Sequence, residues 1–318
     1  NCKSCRTACP AGVDVSELIL QKRAEHPNRL AAFIFRLQRQ PWLFEGVLKL
    51  LAATQSLWDR PLPRRWLEIL ASPVLRQLGN AAKLPADMLL PRLAVRMLRN
   101  RYPTLVRDSP AAHGQAVAYF HGCAANYFDD GVGDAVIKVL RHYGIEPALP
   151  PQRCSGTPID TYGLRDVAKE GARFNLTSLA SYSTVVTGCA SCTLMLKDYA
   201  ALFRGEPEEE AAKALSTRVK HISEFVMERE SATSQEEGKQ TTRATGKKIT
   251  YHSSCHLRAA GVTKAPRDLL RKLPGYEFVE MQDADRCAGG AGTFMVKNPD
   301  VSAAIFSRKQ RAIGRMST

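Results

Sequence analysis

The sequence predicts a mixed chain, α+β overall with α/β units, in which a short cysteine cluster and a helical middle precede two βαβ-type units. Three observations carry this. Residues 115–230 alternate strand-like apolar runs with helical ones, residues 249–318 begin the same alternation again, and cysteines stand at matching spacings in both. Such alternation builds parallel sheets with crossover helices, and a recurring spacing marks a recurring unit. At 318 residues the chain is long enough for more than one core.

The elements follow in order. Residues 1–25 hold Cys2, Cys5 and Cys9, then "DVSELILQKRAE", a helix capped at Asp14 or Ser16. Residues 26–110 place Leu, Ile and Phe at helical spacing. There Pro41, Pro61, Pro63, Pro73, Pro85 and Pro91 divide the zone into short helices. Within it "MLLPRLAVRMLRN" (88–100) is apolar on one side and basic on the other. It reads as a core-packing helix, with an interfacial helix against anionic lipid as the alternative. In 115–230, "AVAYF" (116–120) is a buried strand, "GDAVIKVLRHYG" (133–144) a helix ending at Gly144, and "IEPALP" (145–150) a short strand. "RDVAKEGARFNLTSLASY" (165–182) is a helix, "STVVTG" (183–188) a strand, and "SCTLMLKDYAALF" (191–203) a further helix. Residues 231–248 have no apolar side chain beyond Ala and read as a flexible linker. The second unit, 249–318, runs strand "ITYH", helix "KAPRDLLRKL", strand "YEFVEM" and helix "DVSAAIFSRKQRAIG".

Composition narrows the function. No run of about 18 apolar residues suggests a membrane-crossing helix, and the start has no signal-peptide pattern. The formal charge is +14, and residues 1–110 contribute +10 of it through 18 Lys+Arg against 8 Asp+Glu. No helix-turn-helix, RNP or zinc-finger pattern accompanies that charge, so nucleic acid is not an expected partner. Nine cysteines, an odd number gathered in CxxC pairs, argue for metal or redox use rather than a disulfide framework.

The cysteine arithmetic defines the repeat. "YFHGC" (119–123) matches "TYHSSC" (250–255), and 31 residues separate Cys123 from Cys154 where 32 separate Cys255 from Cys287. "RCSGTP" (153–158) matches "RCAGGAGT" (286–293). A further 35 residues lead from Cys154 to Cys189, which opens the CxxC of "GCASC" with Cys192. The same step from Cys287 reaches 322, past Thr318, so a CxxC is expected just beyond the last residue. Cys123, Cys189 and Cys255 each follow a predicted strand and precede a predicted helix. Ligands gather at strand carboxyl ends, and a helix N-terminus lowers a thiol's pKa. Gly156, Gly289, Gly290 and Gly292 let backbone approach a bulky group closely. His121, His252 and His256 flank these cysteines and are expected to support the site rather than ligate. No dinucleotide loop, general base or nucleophile elbow is visible, so the chain is not expected to oxidise a substrate itself.

The opening "NCKSCRTACP" has the spacing C-x2-C-x3-C-P, the tail of a bacterial [4Fe–4S] motif whose first cysteine would lie two residues before Asn1. In two-cluster ferredoxins the last cysteine serves the other cluster. Cys2 and Cys5 are therefore expected to share one cluster and Cys9 to serve its neighbour. Tetrahedral zinc is the rival for any such thiol set.

A tandem C…CCG…CxxC domain preceded by a ferredoxin motif resembles a family of iron–sulfur electron-transfer subunits. It includes the electron-transfer subunit of anaerobic glycerol-3-phosphate dehydrogenase, the glycolate oxidase iron–sulfur subunit, lactate-utilisation proteins and the cysteine-rich subunits of heterodisulfide reductase. The resemblance covers residues 1–20 and 115–318. It implies a ferredoxin-like cluster-binding remnant over 1–25, a helical connecting region over 26–110, and two Rossmann-like cysteine-rich domains over 115–230 and 249–318. It also implies [4Fe–4S] clusters, with zinc or another Fe–S cluster as the alternative in the cysteine-rich units, and no flavin within these residues. The implied partners are a flavoprotein dehydrogenase, as subunit or fused domain, and a membrane or quinone-reducing partner. The implied location is the cytoplasm, peripheral at the inner face of the cytoplasmic membrane. One departure matters: the family's doubled cysteine is single here, with Ser155 after Cys154 and Ala288 after Cys287. That weakens the alternative of a heterodisulfide-reductase-like thiol chemistry. A zinc-stabilised interaction module is the alternative of another class.

Overall fold

The computed structural model describes residues 3, 5, 9–58, 92–107, 116–128, 131–233, 247–290, 292 and 294–316. Helix α1 (Val15–Glu25) starts where the Asp14 carboxylate accepts the Glu17 amide at 3.1 Å. Helix α2 (Arg29–Leu37) is capped the same way by Asn28, which accepts the Ala31 amide at 2.9 Å. Helix α3 (Pro41–Trp58) begins on Pro41, where a missing N–H costs nothing. The prolines between 61 and 91 lie outside the described residues.

A short α4 (Leu98–Arg101) and a 3-10 turn (Pro103–Leu105) follow. The helix expected over 88–100 is therefore helical only from Leu98, among the described residues. Leu93 instead forms an antiparallel bridge with Phe128. Gln55 holds both sides of its backbone, accepting the Leu93 amide at 3.0 Å and donating to its carbonyl at 3.1 Å. Met97 and Leu98 are fully buried, so the core-packing reading of this stretch holds for them.

The first unit contains β1 (Val117–Tyr119), α5 (Gly122–Tyr127), α6 (Val132–His142), α7 (Thr157–Thr161), α8 (Arg165–Leu179) and β2 (Thr184–Thr187). It continues through α9 (Ala190–Lys197), α10 (Tyr199–Leu202), α11 (Glu209–Arg218), β3 (Val219–His221) and α12 (Ile222–Thr233). The strands form one parallel sheet in the order β1-β2-β3, with Ala118 opposite Val185 and Val186 opposite Lys220. On the other edge of β1, Ala118 makes a parallel bridge to Ala148, which is where the short strand was expected. Side chains alternate faces along a strand. Ala118, Phe120 and Val185 pack with Leu179, Leu196 and Tyr199 on one face. Val117, Tyr119 and Val186 pack with Ile137, Leu140 and Leu98 on the other. Burial on both faces is what a parallel sheet requires.

The second unit is smaller: β4 (Lys247–Ile249), α13 (Cys255–Ala259), α14 (Ala265–Arg271), β5 (Tyr276–Phe278), α15 (Phe294–Lys297) and α16 (Pro299–Gly314). Strands β4 and β5 pair in parallel, with Lys248 opposite Glu277. Helix α13 packs on α9, and α14 on α12.

Two boundaries differ from expectation. Helix α12 runs to Thr233, so the first three residues of the expected linker are helical, and 234–246 lie outside the described residues. The single helix expected over 191–203 is two, α9 and α10, interrupted at Asp198, which forms an ion pair with Lys3.

Candidate metal centre

The chain leaves β1 through Phe120 and His121 and turns at Gly122 into α5, whose second residue is Cys123. Gly122 has φ +66°, and a Cβ there would stand 2.7 Å from the Cys192 sulfur. Only glycine allows that approach. Leaving β2, the chain turns at Gly188 and enters α9, with Cys189 at its N-cap and Cys192 in its first turn. A Cβ on Gly188 would meet Val136 of α6 at 2.8 Å, so this turn is seated firmly on α6. The carboxyl ends of two adjacent parallel strands thus present Cys123 beside Cys189 and Cys192.

Cys154 arrives on the loop before α7, and three buried or half-buried polar side chains hold that loop. Gln152 accepts the Gly122 amide at 3.0 Å and donates to the Tyr119 carbonyl at 3.3 Å, joining the loop to the end of β1. Asn175 accepts the Arg153 amide at 2.8 Å and donates to its carbonyl at 3.2 Å. Tyr199 donates to the Ser155 carbonyl at 2.9 Å and accepts from Asn175 at 3.1 Å. Asn175 and Tyr199 are fully buried, so their hydrogen bonds form in a medium where leaving them unmade is costly.

The four thiols stand as two pairs. The Cys154 thiol donates to Cys123, which lowers the pKa of Cys123 and holds that of Cys154 well above the ordinary thiol range. The hydrogen bond with Cys189, together with burial, likewise holds Cys192 well above that range. The Ser155 hydroxyl donates to the Cys192 sulfur and opposes that rise. Within each pair one sulfur is hydrogen-bonded to the other, and loading metal releases the thiol protons. His121 is buried, with Nδ1 2.7 Å from the Gly122 carbonyl, and desolvation pushes its pKa down to about 4. It is a neutral, inward-held side chain, in keeping with a supporting role.

Among the described residues, no group of three or more His, Cys, Asp or Glu side chains has the spacing to hold a metal ion as it stands. The donor set nevertheless fits a cluster. It comprises four thiols at the mouth of a sheet, and an adjoining glycine position that no Cβ could occupy.

The other candidate ligands are distributed as follows. Cys255 is the first residue of α13, and its neighbour His256 places Nδ1 2.7 Å from the Ser191 hydroxyl of α9. Cys287 is exposed and accepts the Gly289 amide at 3.3 Å. Cys2 lies outside the described residues. Cys5 and Cys9 are joined by a turn in which the Cys9 amide donates to the Cys5 carbonyl at 3.0 Å. This end of the chain is tied to the first unit by the Lys3–Asp198 ion pair, by Glu17–Arg165 at 2.7 Å, and by Arg23 donating to the Thr161 carbonyl at 2.9 Å. Lys3, Thr157, Met195 and His256 line one cleft, so the N-terminal segment, the first unit and α13 meet at α9.

A second cleft reaches Cys123 and Cys154. Arg39, Phe44 and Glu45 of the helical region form one wall, and His121, Cys123 and Cys154 lie on the other. Asn175, Tyr199 and Gln152 had no signal in the sequence, because each acts on a loop distant along the chain.

The cysteine-rich domain family matches this chain twice, over residues 117–197 and 249–317. Lactate utilization protein A of Geobacillus thermodenitrificans is 34% identical over 199 residues, covering 61% of this chain and 80% of that protein. Its counterpart in Bacillus licheniformis is 34% identical over 196 residues, with the same coverage. A fumarate reductase (CoM/CoB) subunit of Methanothermobacter marburgensis is 30% identical over 207 residues, covering 64% of this chain but only 39% of its own length. No solved structure matches the chain. Two domain matches, and lactate-utilisation relatives covered over most of their length, show that the chain belongs to the tandem cysteine-rich domain family of iron–sulfur electron-transfer subunits.

Proposed function

We propose that this chain is the electron-transfer component of an oxidoreductase. It carries electrons from a flavin-dependent dehydrogenase of lactate, glycolate or glycerol 3-phosphate towards quinone or another membrane acceptor. The observation that carries this reading is the grouping of Cys123, Cys154, Cys189 and Cys192 at the ends of β1 and β2. In this reading they hold one [4Fe–4S] cluster. Thiols standing as two pairs suit a cubane, in which each binds its own iron, better than one zinc ion that needs four donors about a point. Cys2, Cys5 and Cys9 serve ferredoxin-type clusters, and Cys255 and Cys287 contribute to a site in the second unit.

When bound, such clusters store and release single electrons. The residues of this chain set where and how easily. Phe120 and Tyr199 keep water from the buried side of the site, and Gln152 and Asn175 hold the Cys154 loop against the strand ends. Hydrogen bonds to cluster sulfurs favour the more negative, reduced state. Ser155→Ala removes the donor to Cys192, so the midpoint of this cluster should fall in a potentiometric titration, with iron content unchanged. The two units read as an internal Rossmann-like repeat over 115–230 and 249–318, since the β1–Ala148 and β4–β5 parallel pairings precede Cys154 and Cys287 alike.

The test is direct. The full-length protein is mixed anaerobically with each flavoprotein dehydrogenase and its substrate. One of the three should bleach the visible absorbance, and a water-soluble quinone should restore it. Similarity to a fumarate reductase (CoM/CoB) subunit favours thiol–disulfide chemistry as the second reading. Reoxidation by a disulfide and not by quinone would decide for that instead.

A further inference from the structure

Helix α16 carries a buried cation. Lys309 is 5% exposed, and its ammonium donates to the Asp283 carbonyl at 2.6 Å and to the Ala284 carbonyl at 3.2 Å. Those two carbonyls stand where the cysteine loops of the second unit join. The Ala284 carbonyl also accepts the amide of Ser253, which stands just ahead of Cys255, at 3.0 Å. The Asp283 carbonyl also accepts the amide of Arg286, the neighbour of Cys287, at 3.0 Å. Asp283 has φ +57°, a left-handed conformation that an L side chain adopts at a cost and that these contacts sustain. Beyond Cys287, the Ser302 hydroxyl of α16 donates to the Gly289 carbonyl at 3.0 Å, and the Gly289 amide donates to the Cys287 sulfur at 3.3 Å. Helix α16 therefore holds the Cys287 loop on both sides.

In the first unit α8 holds the Cys154 loop in the same way, through Asn175 on the Arg153 backbone. Asn175 lies 21 residues after Cys154, and Lys309 lies 22 after Cys287. The difference is charge: a neutral amide in one unit, an ammonium in the other. A buried ammonium is costly unless an anion faces it. The nearby carboxylates are engaged elsewhere, Asp283 with Arg286 at 3.3 Å and Asp285 with Arg258 at 3.1 Å. Among the described residues no carboxylate forms an ion pair with Lys309, while Cys287 is within its electrostatic reach. For stability alone, an apolar side chain would suit the core of Met281, Ala284 and Ala312 beside it better. A metal centre bound by thiolates carries the negative charge that is missing. We infer that Lys309 is the positioning cation of the second unit, holding the Cys287 loop by two carbonyls and balancing the charge of the thiolate-bound group at Cys287. The balancing of charge rests on the reading that Cys255 and Cys287 serve a cluster. The holding of the loop does not.

The test uses full-length protein purified without oxygen, with Lys309→Met, Lys309→Gln and Cys287→Ala variants alongside. Amide hydrogen exchange at Ser253 and Arg286 should be at least about tenfold faster in Lys309→Met, which has no donor. It should stay within about twofold of the unsubstituted protein in Lys309→Gln, which keeps a donor and loses the charge. The paramagnetic resonance signal of the reduced protein that Cys287→Ala removes is then followed against potential. Lys309→Gln should keep that signal, but at a fixed potential its ratio of reduced to oxidised centre should fall by at least about tenfold, about 59 mV for a one-electron couple. The remaining signal and the circular dichroism should not change. Unaltered exchange in Lys309→Met overturns the holding of the loop. An unaltered midpoint in Lys309→Gln overturns the balancing of charge. If Cys287→Ala removes no signal, the second-unit site and the balancing of charge fall together, and the exchange comparison alone decides whether Lys309 holds the loop.

Discussion

Replacing Cys192 by Ala should lower the iron content by about four per chain and remove the visible absorbance of the first unit. Cys192 is 5% exposed, sits in the first turn of α9, and meets Cys189, Ser155 and the Gly122 backbone. Cys154 cannot take its place, because it is held to Cys123 and its loop is clamped by Asn175. The fold itself should survive, since the substitution removes one sulfur from a core that also contains Phe120, Leu196 and Tyr199. Circular dichroism and iron analysis on the same sample check both halves. Cys287→Ala serves as comparison: Cys287 is exposed and outside this group, so the first-unit signal should persist. Full iron retention in Cys192→Ala would remove Cys192 from the ligand set.

Gly122→Ala should damage the same site without touching a ligand. Alanine at φ +66° costs roughly 1–2 kcal/mol in backbone strain alone. Its Cβ would also stand 2.7 Å from the Cys192 sulfur, so either β1 or α9 must shift. Gly131→Ala separates the two effects. Gly131 has φ +70° but no atom within 4 Å of its Cβ position, so it suffers the strain and not the clash. Both variants should lose stability in denaturant titrations by a similar backbone increment. Only Gly122→Ala should also lose iron. Equal iron in the two would mean that the turn and Cys192 are not pressed together as described.

The parts of this structure that could be read in advance are those with local causes. The strands at 117–119 and 184–187 are short apolar runs flanked by turn residues, and the α1 cap is an Asp followed three residues later by Glu17. The cysteine spacings are legible because Cys123, Cys189 and Cys255 each stand between a strand and the helix that follows it. What was not legible depends on distant partners. Residues 92–97 have helical periodicity, yet Gln55 and Phe128 hold Leu93 in extended backbone. The break at Asp198 coincides with an ion pair to Lys3, almost two hundred residues earlier. Strand β3 and helix α11, within residues 209–221, carried no distinct signal and were not anticipated. The helical spacing over 26–110 predicted short helices without saying which face is buried, and α3 turns many of its apolar side chains outward. Periodicity identifies a helix, but which face its neighbours cover is a tertiary question.

The central claim is that the four thiols of the first unit hold an iron–sulfur cluster. Metal analysis and visible spectroscopy on full-length protein purified without oxygen test it most directly, with a Cys123, Cys154, Cys189 and Cys192 quadruple alanine variant alongside. The account predicts a brown protein whose iron and sulfide fall by about four each in the quadruple variant. A colourless protein carrying zinc, with the zinc lost in that variant, would contradict it.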